Sequence, residues 1–208
     1  MSLYRTHQDD GLLLGIWKVE ETAESLLGML DNRGWYEEAV NRFPEKRLTE
    51  WLAVRVLLKT LCGEEKEVAY YPSGRPYLKD GSRHISISHT RGYVAVLLHP
   101  SREVGIDIEQ YGTKVERVAS RFIREDELPV FWRGSRIYSL LLHWSAKETL
   151  FKLIDSAEVD FIGHQRILPF VPSEEGELEA REYKTGQCGT FRIYYLVHPD
   201  FVLTWTVK

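Results

Sequence analysis

Asp107 and Glu109 lie two residues apart in the segment Val104-Gly105-Ile106-Asp107-Ile108-Glu109. Alternation along an extended chain puts Val104, Ile106 and Ile108 on one face and both carboxylates on the other, with Gly105 adding no bulk beside them. Neighbouring carboxylates repel each other unless a cation lies between them, and such oxygen donors suit a hard ion such as Mg²⁺. The same pattern also describes a half-buried strand showing its acids to water. A second cluster is Trp144-Ser145-Ala146-Lys147-Glu148-Thr149-Leu150-Phe151-Lys152. On a helix, Trp144, Glu148 and Lys152 share one face at i, i+4 and i+8, with Lys147 and Phe151 flanking it. That face could supply one metal ligand and two phosphate contacts from a rigid element. Read plainly, it is a surface Glu–Lys pair worth about 0.2–0.5 kcal/mol.

Two further segments carry polar groups in defined places. In Ser73-Gly74-Arg75-Pro76-Tyr77-Leu78 the proline biases Arg75 towards extended backbone, so its guanidinium projects in a set direction, and guanidinium groups bind phosphate through paired hydrogen bonds. A solvated arginine on a surface turn is the alternative. In His84-Ile85-Ser86-Ile87-Ser88-His89 the isoleucines face the core and the serines face away, leaving His89 at the strand end to donate to a phosphate or a neighbouring backbone group. No serine sits in a nucleophile elbow. The remaining histidines, His7, His99, His143, His164 and His198, lack metal-ligand spacing.

The elements that must hold these groups are legible from periodicity. Leu12–Glu20 reads as a strand, Glu24–Leu30 and Glu37–Arg42 as helices, and Glu45–Leu61 as a longer helix with apolar residues at helical spacing. Val68–Tyr71, Ile85–His89, Tyr93–Leu98 and Val104–Glu109 read as strands between Gly- and Pro-marked turns. Lys114–Phe122, Glu125–Phe131 and Ser135–Ile154 form a second helical block, and residues 167–208 return to strands, clearest at Phe191–Val197 and Phe201–Val207. Helices and strands in blocks favour an α+β fold over regular βαβ alternation. Two lobes, residues 1–102 and 103–208, are expected, with the active site between them and the acids in the second.

At 208 residues, 43% hydrophobic and 28% charged, the chain is ordinary globular material, long enough for a core without staples. A net charge of -4 argues against a nucleic-acid partner, so an anionic ligand must meet a local basic pocket. Two cysteines outside any CxxC pattern argue against a disulfide framework or a zinc site and fit a reducing compartment. Acids before a short apolar stretch at Leu12–Trp17 do not read as a signal peptide, and no run approaches a membrane span. A cytoplasmic protein with no membrane partner is expected.

In order along the chain, Gly74-Arg75-Pro76, Ser88-His89, Gly105–Glu109 and Trp144-Ser145-Ala146-Lys147-Glu148 closing with Lys152 resemble the 4′-phosphopantetheinyl transferase superfamily, in its monomeric two-lobed type that activates surfactin synthetase. The resemblance runs from the Glu45–Leu61 segment to Lys152. It implies a pseudo-twofold α+β fold binding coenzyme A between the lobes, as a monomer. By position, Asp107, Glu109 and Glu148 match the family's magnesium ligands. Lys152 matches the lysine that contacts the coenzyme A phosphates, with Lys147 beside it. Arg75 stands where the family has a basic residue near the adenine and 3′-phosphate, Ser88 and His89 match a phosphate-holding pair, and Arg47 and Arg55 are candidates for the same anion. The family often has Asn at Ser86. A glycine-rich continuation is common after Lys152, where this chain reads Leu153-Ile154-Asp155-Ser156-Ala157-Glu158, a difference on the acceptor side.

The activity implied is transfer of 4′-phosphopantetheine from coenzyme A to a serine of an apo acyl or peptidyl carrier protein, Mg²⁺-dependent, releasing 3′,5′-ADP. Asp107, Glu148 and Lys152 are the expected catalytic groups, with Glu148 or a water taking the serine proton. The alternatives are a Mg²⁺-dependent phosphate-ester hydrolase, or a non-catalytic coenzyme A-binding protein of the same fold.

Overall fold

The apolar runs of the chain form a four-stranded antiparallel sheet, a five-stranded antiparallel sheet and a small hairpin in the computed structural model, which describes residues 2–154, 158–186 and 188–208. The architecture is mixed α and β, as the grouping of elements leads one to expect. The chain divides into two compact units, Met1–Glu103 and Val104–Lys208.

The first unit comprises β1 (Leu3–Asp9), β2 (Leu12–Lys18), α1 (Ala23–Gly28), α2 (Glu37–Arg42), α3 (Glu45–Cys62), β3 (Val68–Tyr70), β4 (Pro76–Leu78), β5 (His84–Thr90) and β6 (Tyr93–His99). Its sheet order is β1-β2-β6-β5, and β3 pairs β4. The helix α3 lies against β2 and β6, where Leu52, Leu57 and Leu58 join Trp17, Val94 and Val96 in a closed apolar core. Gly15 lets the helix approach, since a methyl there would fall 2.7 Å from Leu57 Cδ1. The strand β1 has no counterpart in the sequence reading. All seven of its residues are exposed, so no apolar alternation marks it, and only its ladder to β2 defines it.

The second unit comprises β7 (Val104–Gln110), α4 (Lys114–Val118), α5 (Ile137–Ile154), β8 (Gln165–Ile167), β9 (Glu175–Glu182), β10 (Thr190–Val197) and β11 (Phe201–Val207). Its sheet order is β7-β11-β10-β9-β8. The acidic strand therefore belongs with the C-terminal strands: Asp107 is opposite Thr204 and Glu109 opposite Val202. The helix α5 packs on β7 and β11 over a core that includes Leu142, Ala146, Leu150, Ile193 and Val202. Among the described residues no helix is long and apolar enough to cross a membrane.

Two sequence expectations need correction here. The expected helix Lys114–Phe122 is α-helical only to Val118 and then tightens into a 3₁₀ turn at Ala119–Arg121. The expected helix Glu125–Phe131 is turn and loop. Pro129 restricts the residue before it, and the Glu127 carboxylate bonds the backbone N–H groups of Arg124 at 2.8 Å and Ile167 at 2.6 Å. Those bonds replace a helical ladder with a loop wrapped around one side chain. Of the 153–158 segment that departs from the family pattern, residues 155–157 lie outside the described residues.

Candidate functional site

The close seating of α5 on β7 starts at Gly105. A Cβ on this residue would stand 2.3 Å from the Thr149 carbonyl oxygen, so no other side chain fits without moving the helix. Small hydroxyl residues complete the seam. Ser145 Oγ donates to the Asp107 carbonyl at 3.3 Å, and Thr149 Oγ1 donates to the Thr204 carbonyl at 3.1 Å. Gly105, Asp107 and Glu109 alternate onto the face that meets α5. The acids are thus turned to the helix, with Asp107 only 4% exposed, and the reading in which they face water does not hold.

The helix answers with the face marked in the sequence. Lys152 Nζ donates to Asp107 Oδ1 at 2.8 Å and to the Ile106 carbonyl at 3.1 Å. Trp144 Nε1 donates to Glu109 Oε1 at 2.7 Å. Glu148 lies half-buried between these two positions on α5. Burial first, then the Asp107 carboxylate, push Glu109 up to about 7; the Trp144 bond pulls the other way and Glu148 adds to the rise. Burial and Asp107 likewise raise Glu148, with Lys152 opposing. Glu109 and Glu148 therefore hold their protons more tightly in a half-desolvated place beside Asp107, a field that a divalent cation relieves.

By donor chemistry this set fits Mg²⁺, a hard ion that takes oxygen ligands from carboxylates, phosphates and water. The side chains are not gathered for it. Among the described residues no group of three or more His, Cys, Asp or Glu is arranged to hold a metal ion. Asp107 turns Oδ1 to Lys152 and Glu109 turns Oε1 to Trp144.

In the first unit, three of the expected anion contacts do meet. A cleft of about 530 Å³ is lined by Arg47, Arg55 and His89, with Glu50, Trp51 and Tyr70 among its other walls. The Arg55 guanidinium stacks 3.6 Å from the Trp51 ring centre and donates to the Trp51 carbonyl at 3.3 Å and the Tyr70 hydroxyl at 3.2 Å. It is 4% exposed, and burial lowers its hold on its proton, countered by Tyr70 and Tyr36. Its bonds are to neutral oxygens, so its charge adds to those of Lys46 and Arg47 around the cleft. His89 Nε2 stands 3.8 Å from Glu50 Oε2.

Three expected contacts lie elsewhere. Arg75 turns its guanidinium to Glu103, both terminal nitrogens 3.4 Å from Oε1, and the cleft wall takes in Gly74 and Pro76 on either side of it instead. Ser88 and Ser86, on the face of β5 opposite Ile85 and Ile87, are buried, at 6% and 4% exposure, and the cleft is lined from that stretch by Ile87 and His89 instead. Lys147, expected beside the phosphates, has no exposed surface. Its ammonium bonds Glu127 and two backbone carbonyls.

Sequence reasoning missed Trp51, Tyr70 and Glu50 as cleft walls and Glu127 as the partner of Lys147. The i, i+4 spacing of Trp51 and Arg55 was the one available signal, because a guanidinium one turn from an indole can stack on it.

A family model described as 4′-phosphopantetheinyl transferase superfamily matches residues 103–206. Over 123 residues, 51% of this chain, the sequence is 30% identical to 4′-phosphopantetheinyl transferase AcpT of Salmonella typhimurium. That match spans 58% of the relative's length.

Proposed function

Because the chain belongs to the 4′-phosphopantetheinyl transferase superfamily, we propose that it moves the 4′-phosphopantetheine group of coenzyme A onto a serine of an apo carrier protein. The observation that carries this reading is the acid pair of β7 joined to Trp144 and Lys152 of α5, within the stretch the family model matches. Asp107, Glu109 and Glu148 are the residues that would hold Mg²⁺, which supplies Lewis-acid polarisation of a phosphate oxygen and offsets charge on the leaving group.

The remaining work falls to the chain's own side chains. Lys152, whose ammonium lies among the acids, would stabilise charge developing on departing 3′,5′-ADP. The serine oxygen forms the new bond to phosphorus, the bond to 3′,5′-ADP breaks, and the serine proton leaves to water, since carboxylates committed to a cation are weak bases. Arg47 and Arg55 give the cleft of the first unit a positive wall suited to a phosphate, with the His89 ring nitrogens and the Trp51 and Tyr70 rings beside it. Arg75, Ser88 and Lys147 take no direct part in this reading.

Incubating the protein with coenzyme A, Mg²⁺ and a panel of apo-carriers, then weighing the carriers, tests it. The expected result is a carrier heavier by one phosphopantetheine arm. Coenzyme A breakdown without any carrier would favour a hydrolase, and binding without turnover would favour a non-catalytic protein.

A further inference from the structure

Glu127 and Lys147 pair in the interior of the second unit, both side chains without solvent exposure, and the proposed transfer uses neither. Lys147 Nζ donates to Glu127 Oε2 at 2.8 Å, to the Phe122 carbonyl at 2.5 Å and to the Phe161 carbonyl at 3.1 Å. Three protons meet three acceptors, so the ammonium is fully spent. Glu127 also accepts from the backbone of Arg124 and Ile167, which fixes the carboxylate from the loop and from β8.

The two residues whose carbonyls Lys147 collects are the two whose rings clasp Trp144. The Phe122 ring centre lies 5.1 Å from the Trp144 ring and the Phe161 centre 5.5 Å, both edge-on. The clasped indole then donates its N–H to Glu109 Oε1. Edge-to-face ring contacts are worth only about 0.5–1.5 kcal/mol each, so alone they leave an indole some freedom to move. Backbone anchored beneath each ring removes that freedom. A lysine so placed needs its carboxylate, since an unpaired interior charge is costly.

We propose that Glu127 and Lys147 are positioning residues which, through Phe122, Phe161 and Trp144, hold Glu109 in place at the acid cluster. The kinetic part of this inference rests on the transferase reading; the structural part does not.

The test labels the full chain with 5-fluorotryptophan and follows the ¹⁹F signal of Trp144, identified by its loss in Trp144→Phe. In Lys147→Met that signal shifts or broadens while the other tryptophan signals hold. Carrier modification loses about 10- to 100-fold in kcat, the range for residues that orient a metal ligand, with the KM for carrier held within about twofold. Trp144→Phe gives a similar loss, and the double variant loses no more than the larger single loss, because both act through one path. An unmoved Trp144 signal in Lys147→Met, or losses that multiply, would overturn the proposal.

Should Lys147→Met fail to fold, the apolar pair Glu127→Leu with Lys147→Met serves, since buried ion pairs are often replaceable by apolar residues of similar volume. It is expected to fold and still show a displaced Trp144 signal and low kcat. Return of both to wild-type values would mean that the pair only fills space, and would also overturn the proposal. An unmodified carrier with the wild-type protein would remove the transferase reading while the fluorine signal still judged the network.

Discussion

Lys152 Nζ stands 2.8 Å from Asp107 Oδ1, tying the last turns of α5 to the middle of β7. The contact explains how a carboxylate with 4% exposure is tolerated beside two other acids: an ammonium is built into the cluster. It also fixes which face of α5 serves the strand, and Trp144 and Glu148 follow on that face by helical spacing.

The seam beneath that contact is narrow. With Thr149 O 2.3 Å from where a Cβ would lie, Gly105→Ala must push α5 off β7. We expect a loss of about 1–3 kcal/mol in stability, the usual cost of overpacking, together with loss of carrier modification. Denaturant unfolding and the carrier assay measure the two, and a variant matching wild type in both would show that the seam has slack.

His143, on the same helix, gives the pH dependence a definite sign. It is buried, with Nδ1 2.7 Å from the Ser139 carbonyl oxygen. Burial holds its pKa below the usual value; the Ser139 bond and Glu127 oppose this, and Lys147 adds to it. The unfolded chain then takes up the proton first as pH falls, so this stability is present above about pH 6.5 and lost as pH drops through the folded value. Unfolding free energies at about pH 7.5 and about pH 5.5 should differ more in wild type than in His143→Gln. Equal differences would remove His143 as a source.

For coenzyme A, the first-unit cleft shifts the weight from Arg75 to Arg55. Arg55→Met should raise the Kd about tenfold or more, as expected when a charged hydrogen-bond donor worth about 1.5–3 kcal/mol is lost. Arg75→Ala, whose guanidinium pairs with Glu103, should change it less. Calorimetry decides, and an unchanged Kd in Arg55→Met would take Arg55 out of the site.

Elements whose burial follows a simple period were legible in advance. The expected helix Glu45–Leu61 is α3 to within one residue, and the alternation in Val104–Glu109 put both acids on one face of β7. What escaped was decided by partners distant in sequence. β1 is exposed throughout and exists through β2. The Glu125–Phe131 stretch has helical composition, but Glu127 spends its carboxylate on Arg124, Ile167 and Lys147. Lys147 reads as a phosphate contact flanking the acid face, one position from Glu148, yet that single step of about 100° turns it into the interior. The turn that leads through Arg75 into the strand at Pro76 forms as read, and nothing local reveals that Glu103 meets the guanidinium.

The proposed transfer depends most on the carboxylates of β7. Asp107→Asn keeps the shape of the side chain and removes its charge, and its fold can be checked by its unfolding curve. With coenzyme A, Mg²⁺ and an apo-carrier that the wild type modifies, mass spectrometry should find modification slowed on the order of 10²–10³-fold, the scale for losing one preorganised electrostatic group. A folded Asp107→Asn that loads the carrier at the wild-type rate would contradict it.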